Sequence, residues 1–191
     1  MCIVKSMQNK MKYFKYIAMV VIALAICTTI SCERDDICPE STPTTPRLII
    51  DFYDVSIQEN SKNVFGLVAV GVGNDNVLDG YAIVNTNNII LPLKTDSTAT
   101  QYIIYKEYTY DDNDTPDDET DDVIGGNPDL ITINYSTELV FVSRACGYKT
   151  IFNNVTISIE DDGDNWILSR ESINDNQSVE DETATHFNLF H

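Results

Sequence analysis

Between Arg47 and Phe190, apolar residues recur at every second position in short runs, and no stretch of ten residues carries a helical repeat. A chain patterned this way buries one face of each strand but builds no amphipathic helix, so its fold is expected to be made of sheets. RLIIDFYD (47–54) puts Leu48, Ile50 and Phe52 on one face. Val64–Val72 is β-branched and interrupted by Gly66 and Gly71. Residues 81–84 and 88–93 read as a pair joined by Asn85-Thr86-Asn87, and 101–110 as a longer strand. Residues 129–135 and 138–143 flank Ser136-Thr137, which reads as a tight connection. In 154–160, Val155, Ile157 and Ile159 share a face; Asp161-Asp162-Gly163-Asp164 then reads as a hairpin turn into 166–169, because Asp-Gly suits positive φ. Residues 185–190 close the set. About eight to ten short strands divided by turn signals predict an all-β fold, an antiparallel β-sandwich, with a small β-barrel as the alternative. The polar segment 111–128 is expected to be a long loop, of a length that is either functional or disordered.

Residues 1–31 obey a different rule. They contain Lys5, Lys10, Lys12 and Lys15 and no acid, followed by an apolar run from Ile17 to Ile30. A basic segment before a short apolar one is the pattern of a secretory signal peptide, and the run falls short of the roughly 20 residues that span a bilayer as a helix. Met11 also begins a complete signal, MKYFKYIAMVVIALAICTTISC, and is an alternative start to Met1. Thr29-Ile30-Ser31-Cys32 at the end of this run is similar to a lipobox, in which a small residue precedes the cysteine that is acylated before cleavage. Cys32 is therefore expected to be the lipidated first residue of the mature chain, since acyl chains bury enough methylene to anchor a protein. Residues 32–46, with Pro39, Pro43 and Pro46, read as a stiff linker. The folded domain is then 47–191.

Cleavage shifts the charge balance. From Cys32 onward there are eight basic residues and all 30 acids, a net charge near −22, which repels nucleic acid and excludes it as a partner. The same cleavage leaves Cys32, Cys38 and Cys146 of the five cysteines. With Cys32 acylated, two thiols remain in a compartment that favours oxidation, and a Cys38–Cys146 disulfide is expected.

The strings CERDDIC, TPTTPRLIIDFYD, LPLKTDST and ELVFVSRACGYKTIF resemble a family of uncharacterised lipoproteins from Bacteroidetes. The acidic Glu33-Arg34-Asp35-Asp36 after Cys32 resembles the surface-export signal of such lipoproteins. The resemblance implies a lipid-anchored β-sandwich of unknown function at the outer membrane, on either its periplasmic or its surface side, and transfers no catalytic residue. The acidic stretch 111–122 departs from the family's pattern.

Little in the sequence points to catalysis. The only histidines, His186 and His191, read as bland surface residues, and no GxSxG, HExxH or phosphate loop occurs. Cys146 reads as structural. The chain is thus expected not to be an enzyme and to need no cofactor, weak calcium binding excepted. Asp111, Asn113, Asp117, Glu119, Asp121 and Asp122 supply the oxygens a hard cation needs, although Pro116 and the lack of a central glycine argue against an EF-hand loop. Asp96-Ser97-Thr98 resembles an Asp-Ser/Thr-X acceptor for O-glycans, with Ser97 as the acceptor. Three functions fit these features: a non-enzymatic module that binds or scaffolds another envelope component, protein or glycan; a calcium-dependent adhesion or glycan-binding module; and, least well, a hydrolase with a carboxylate pair.

Overall fold

The computed structural model describes residues 37–42, 44–74, 76–114, 122–173 and 176–191, together with Met19. Nine strands form: β1 (Leu48–Tyr53), β2 (Val64–Gly71), β3 (Val84–Thr86), β4 (Asn88–Leu91), β5 (Ala99–Asp111), β6 (Val123–Ser143), β7 (Gly147–Ile159), β8 (Ser169–Ser172) and β9 (Phe187–Phe190). They make two open sheets, a four-stranded one in the order β4-β1-β9-β8 and a five-stranded one in the order β3-β2-β5-β6-β7. The architecture is the expected β-sandwich, and the sheets do not close into a barrel. The sandwich is built from residues 41–142 and 147–191; the described residues 37–40 and 143–146 belong to a second, smaller unit.

The alternation read from the sequence is the alternation that fills the core. Leu48, Ile50 and Phe52 of β1 are fully buried, as are Leu67 and Ala69 of β2, Ile104 of β5, Ile131 and Ile133 of β6, Phe152 and Val155 of β7 and Leu189 of β9. Each of these side chains other than Ala69 contributes about 1.5–3 kcal/mol relative to an exposed one. Trp166 joins them from the loop between β7 and β8, its ring 5.9 Å from Phe52 and its Nε1 donating to the Ile104 carbonyl at 3.1 Å.

Pairing departs from the expectation in four places. Strands β3 and β4 do not pair; β3 lies against β2 and β4 against β1, in different sheets. The chain crosses at Asn87, whose carbonyl accepts from Phe52 N at 2.8 Å and whose side chain donates to Ser61 Oγ. Second, Ser136-Thr137 is no turn: β6 runs through it without a break, and Ser136 Oγ donates to the Asn153 carbonyl. Third, Asp161–Asp164 is a turn but not a hairpin, because β7 and β8 belong to different sheets. Its Asp side chains accept from backbone N–H groups two residues on, Asp161 from Gly163 and Asp162 from Asp164. Fourth, β1 and β9 pair in parallel, so the four-stranded sheet is mixed.

The segment 111–128 is also shorter as a loop than expected. Asp111 ends β5 and residues 123–128 begin β6, with Asp111 opposite Val123 and Tyr110 opposite Ile124. A bulge between Lys106 and Thr109 bends this hairpin, with Glu107 at φ +56°. Two glycines make room for it. A Cβ on Gly126 (φ +110°) would sit 2.9 Å from the Lys106 carbonyl oxygen, and one on Gly66 (φ +59°) 3.1 Å from Tyr108 N. Only glycine tolerates both the positive φ and the close backbone.

Candidate functional site

The turn between β6 and β7 is fixed by covalent chemistry. Strand β6 ends at Ser143 and β7 starts at Gly147, a turn in which Cys146 N donates to Ser143 Oγ at 3.0 Å. Gly147 takes φ +72°, which lets the turn close. Cys146 is bonded to Cys38, with Cα atoms 4.8 Å apart, the pairing expected from the sequence. Cys32 and, apart from Met19, the residues of the expected signal peptide before it lie outside the described residues.

On the sandwich side of this turn, large side chains are left uncovered. In β6, Ile131, Ile133 and Tyr135 are buried, but further along the same alternation Leu139 and Phe141 are 70% and 57% exposed. Tyr148, early in β7, is 66% exposed and packs edge-on against Phe141 with ring centroids 5.4 Å apart. The cause is strand length. β6 has 21 residues and β7 has 13, whereas no strand of the opposite sheet exceeds six, so the long strands outrun their cover. The sequence holds a signal for this patch: Leu139-Val140-Phe141-Val142 is apolar at every position, so no polar face balances the buried one.

The start of the sandwich is docked through the last residues of the expected linker. Thr45 Oγ1 accepts from Thr150 N at 3.0 Å, and Pro46 is buried. Arg47 follows and grips Glu182 with both ends of its guanidinium, Nε to Oε1 at 2.9 Å and Nη2 to Oε2 at 2.6 Å. The pair raises the arginine's pKa and lowers the glutamate's. Two shallow clefts of about 520 and 530 Å³ flank Arg47, one lined by Asp79, Tyr81, Thr86 and Asn88, the other by Thr42, Thr44, Asp181 and Thr183. The cation they share is already neutralised by Glu182.

Both histidines are buried, not exposed as expected. His186 lies just before β9, where the parallel pairing sets it beside β1. Its Nδ1 accepts from Ile49 N at 3.0 Å and its Nε2 faces the Asp181 carbonyl at 3.1 Å, which fixes the proton on Nε2. Burial lowers its pKa. His191 stands edge-on to Trp166 and Phe52, with centroids 5.5 and 6.1 Å away, and neither ring nitrogen has a hydrogen-bond partner among the described residues. Burial, helped by Lys62 and Lys106, pushes its pKa down to about 4 from 6.5. The unfolded chain therefore takes up this proton near pH 6.5 while the folded chain refuses it until about pH 4, so acidification favours unfolding in that window. Relative to His191→Phe, the parent is expected to lose roughly 1–1.5 kcal/mol of stability between pH 6.5 and about 5, followed by urea denaturation at each pH. Parallel pH profiles for the two proteins would contradict the assignment.

Of the remaining residues singled out in the sequence, Asp111, Asn113 and Asp122 sit together at the end of the β5–β6 hairpin, away from the disulfide-bonded turn in sequence. Asp111 Oδ1 accepts from Asn113 N at 3.0 Å, and Asp122 Oδ2 accepts from the Tyr110 hydroxyl at 2.8 Å. Asp117, Glu119 and Asp121 lie outside the described residues. Among the described residues no cluster of three or more acidic, histidine or cysteine side chains is placed to hold a metal ion. Ser97 sits in the turn between β4 and β5, its hydroxyl donating to the Ala99 carbonyl at 3.0 Å.

The chain belongs to the Family of unknown function (DUF6452), whose model matches residues 64–191. No curated protein and no solved structure matches it.

Proposed function

We propose that this member of a family of unknown function is a lipoprotein of the bacterial outer membrane, of the Bacteroidetes type its sequence resembles. In this reading its β-sandwich is a non-enzymatic module that binds or scaffolds another envelope component. The observation that supports the reading most is the Cys38–Cys146 disulfide. A thiol pair of this kind persists outside the cytoplasm, where a secretory leader would deliver the chain. The bond also explains why a cysteine lies six residues after the one that would carry lipid. Residues 33–37 are then the whole tether, at most about 20 Å at ~3.3 Å per residue. Without the bond the tether would run to Arg47, up to about 50 Å. A short leash of this kind suits a module that works on components beside the membrane.

A binding role is also favoured by the polar chemistry. Arg47 is committed to Glu182 and His186 to two backbone groups, so the sites that would serve a catalyst serve the fold instead. Cys32→Ala is the test. The unmodified variant is expected in the soluble periplasmic or medium fraction, while the parent stays with membranes through a high-salt wash. A variant retained on membranes as firmly as the parent would defeat the reading. Melting with and without millimolar calcium separates the adhesion alternative, which requires a rise that disappears on deletion of residues 111–122.

A further inference from the structure

Resting on the reading that Cys32 carries lipid, we propose that the end of the β6–β7 hairpin is a second membrane contact, with Leu139, Phe141 and Tyr148 entering the headgroup layer of the bilayer that holds the anchor. Three independent observations lead there. The first is the patch itself: three large side chains, each more than half exposed, two of them in ring contact, on the part of β6 and β7 that the opposite sheet leaves uncovered. Tyrosine and phenylalanine at a strand end are suited to the interface between headgroups and acyl chains, where an apolar ring and a polar hydroxyl are both accommodated.

Charge is the second. Residues 139–159 contain no acid, the longest such stretch from Cys32 onward, and they carry Arg144 and Lys149, two of the eight cations of that region. All 30 acids lie elsewhere in the sequence, although Glu138 at its edge accepts from Asn153 Nδ2 at 2.9 Å. An anionic bilayer repels this stretch less than the acidic remainder of the sandwich, while Glu33, Asp35 and Asp36 of the tether are held near the bilayer by the anchor itself.

The third is reach. Tyr148 follows Cys146 by two residues, and Cys146 is bonded to Cys38 across 4.8 Å between Cα atoms. Together with the tether of at most about 20 Å, this keeps Tyr148 within roughly 30 Å of the anchoring residue along the covalent path. Through the main chain alone the same two residues are separated by more than a hundred positions. The disulfide thus links to the lipid anchor the hairpin end that carries Phe141 and Tyr148.

The test uses the full acylated protein in vesicles of phosphatidylethanolamine and phosphatidylglycerol with brominated acyl chains. Phe141→Trp reports on the hairpin end. Ile124→Trp is the control: it is 60% exposed and lies on the same strand 17 residues away, up to about 55 Å. After subtraction of the signal from buried Trp166, quenching of Phe141→Trp is expected to exceed that of Ile124→Trp at least about threefold. Adding Cys38→Ser/Cys146→Ser is expected to reduce that quenching to the control level. Intact mass is measured first. A sample without acyl chains on Cys32 refutes the anchoring reading. An acylated sample in which Phe141→Trp is quenched no more than Ile124→Trp refutes the hairpin contact alone. If Phe141→Trp is shielded by added envelope protein and not by lipid, the patch is a protein interface and the proposal is wrong.

Discussion

Cys38→Ser/Cys146→Ser is expected to lose about 4–5 kcal/mol of stability, the chain-entropy estimate for a loop closed across 108 positions. At the usual scaling for a domain of this size, its melting midpoint falls by on the order of 10 °C. The double variant avoids leaving one reactive thiol. The bond is expected to stabilise the fold and not merely the linker, because the chain between its two ends includes β1 to β6 and is held at Thr45 and Pro46 before β1 begins. Differential scanning calorimetry of the parent, the reduced parent and the double variant checks this. A midpoint for the variant within about 2 °C of the oxidised parent would show that the bond only shortens the tether.

Asp129→Ala is the second large effect, with an expected loss of about 3 kcal/mol. Asp129 is fully buried on β6, and its carboxylate accepts from Ile167 N at 2.8 Å and Trp166 N at 3.3 Å. Burial raises its pKa, and those two N–H bonds work the other way. It pins the loop that carries the chain from β7 in one sheet to β8 in the other. Alanine leaves two N–H groups without an acceptor and loosens Trp166, which packs on Phe52 and His191. Asp129→Asn keeps one carbonyl oxygen in place and is expected to cost less than half as much. Guanidinium denaturation orders the three proteins. Equal losses for alanine and asparagine would mean that the negative charge matters, not the two acceptor positions.

The strands were legible in the sequence because alternation reports directly which face is buried, and Leu48, Ile50 and Phe52 are the plain case. Alternation says nothing about which neighbour a strand will choose. Asn85-Thr86-Asn87 has the composition of a hairpin turn, yet it is where the chain leaves one sheet for the other, and Asp161–Asp164 does the same between β7 and β8. Ser136-Thr137 was misread for a related reason: polar residues break an apolar pattern without breaking a strand whose local face is exposed. The histidines were misplaced because their burial depends on β9 lying parallel to β1, a contact across more than 130 residues that no local pattern encodes.

The disulfide-bonded end was half legible. Cys38 and Cys146 could be paired by counting thiols, since oxidation of a lone pair depends on the compartment and not on the fold. That Leu139, Phe141 and Tyr148 are exposed depends on the unequal lengths of strands in the two sheets, which appears only once each strand has been assigned to its sheet.

Intact-mass analysis and non-reducing peptide mapping of the protein extracted from envelopes test the central claim, a sandwich leashed to a membrane by lipid and disulfide together. The expected species begins at Cys32 bearing acyl chains and yields one cross-linked peptide containing Cys38 and Cys146. A chain that keeps residues 1–31, or that begins elsewhere without lipid, with alkylatable thiols at positions 38 and 146, would contradict it.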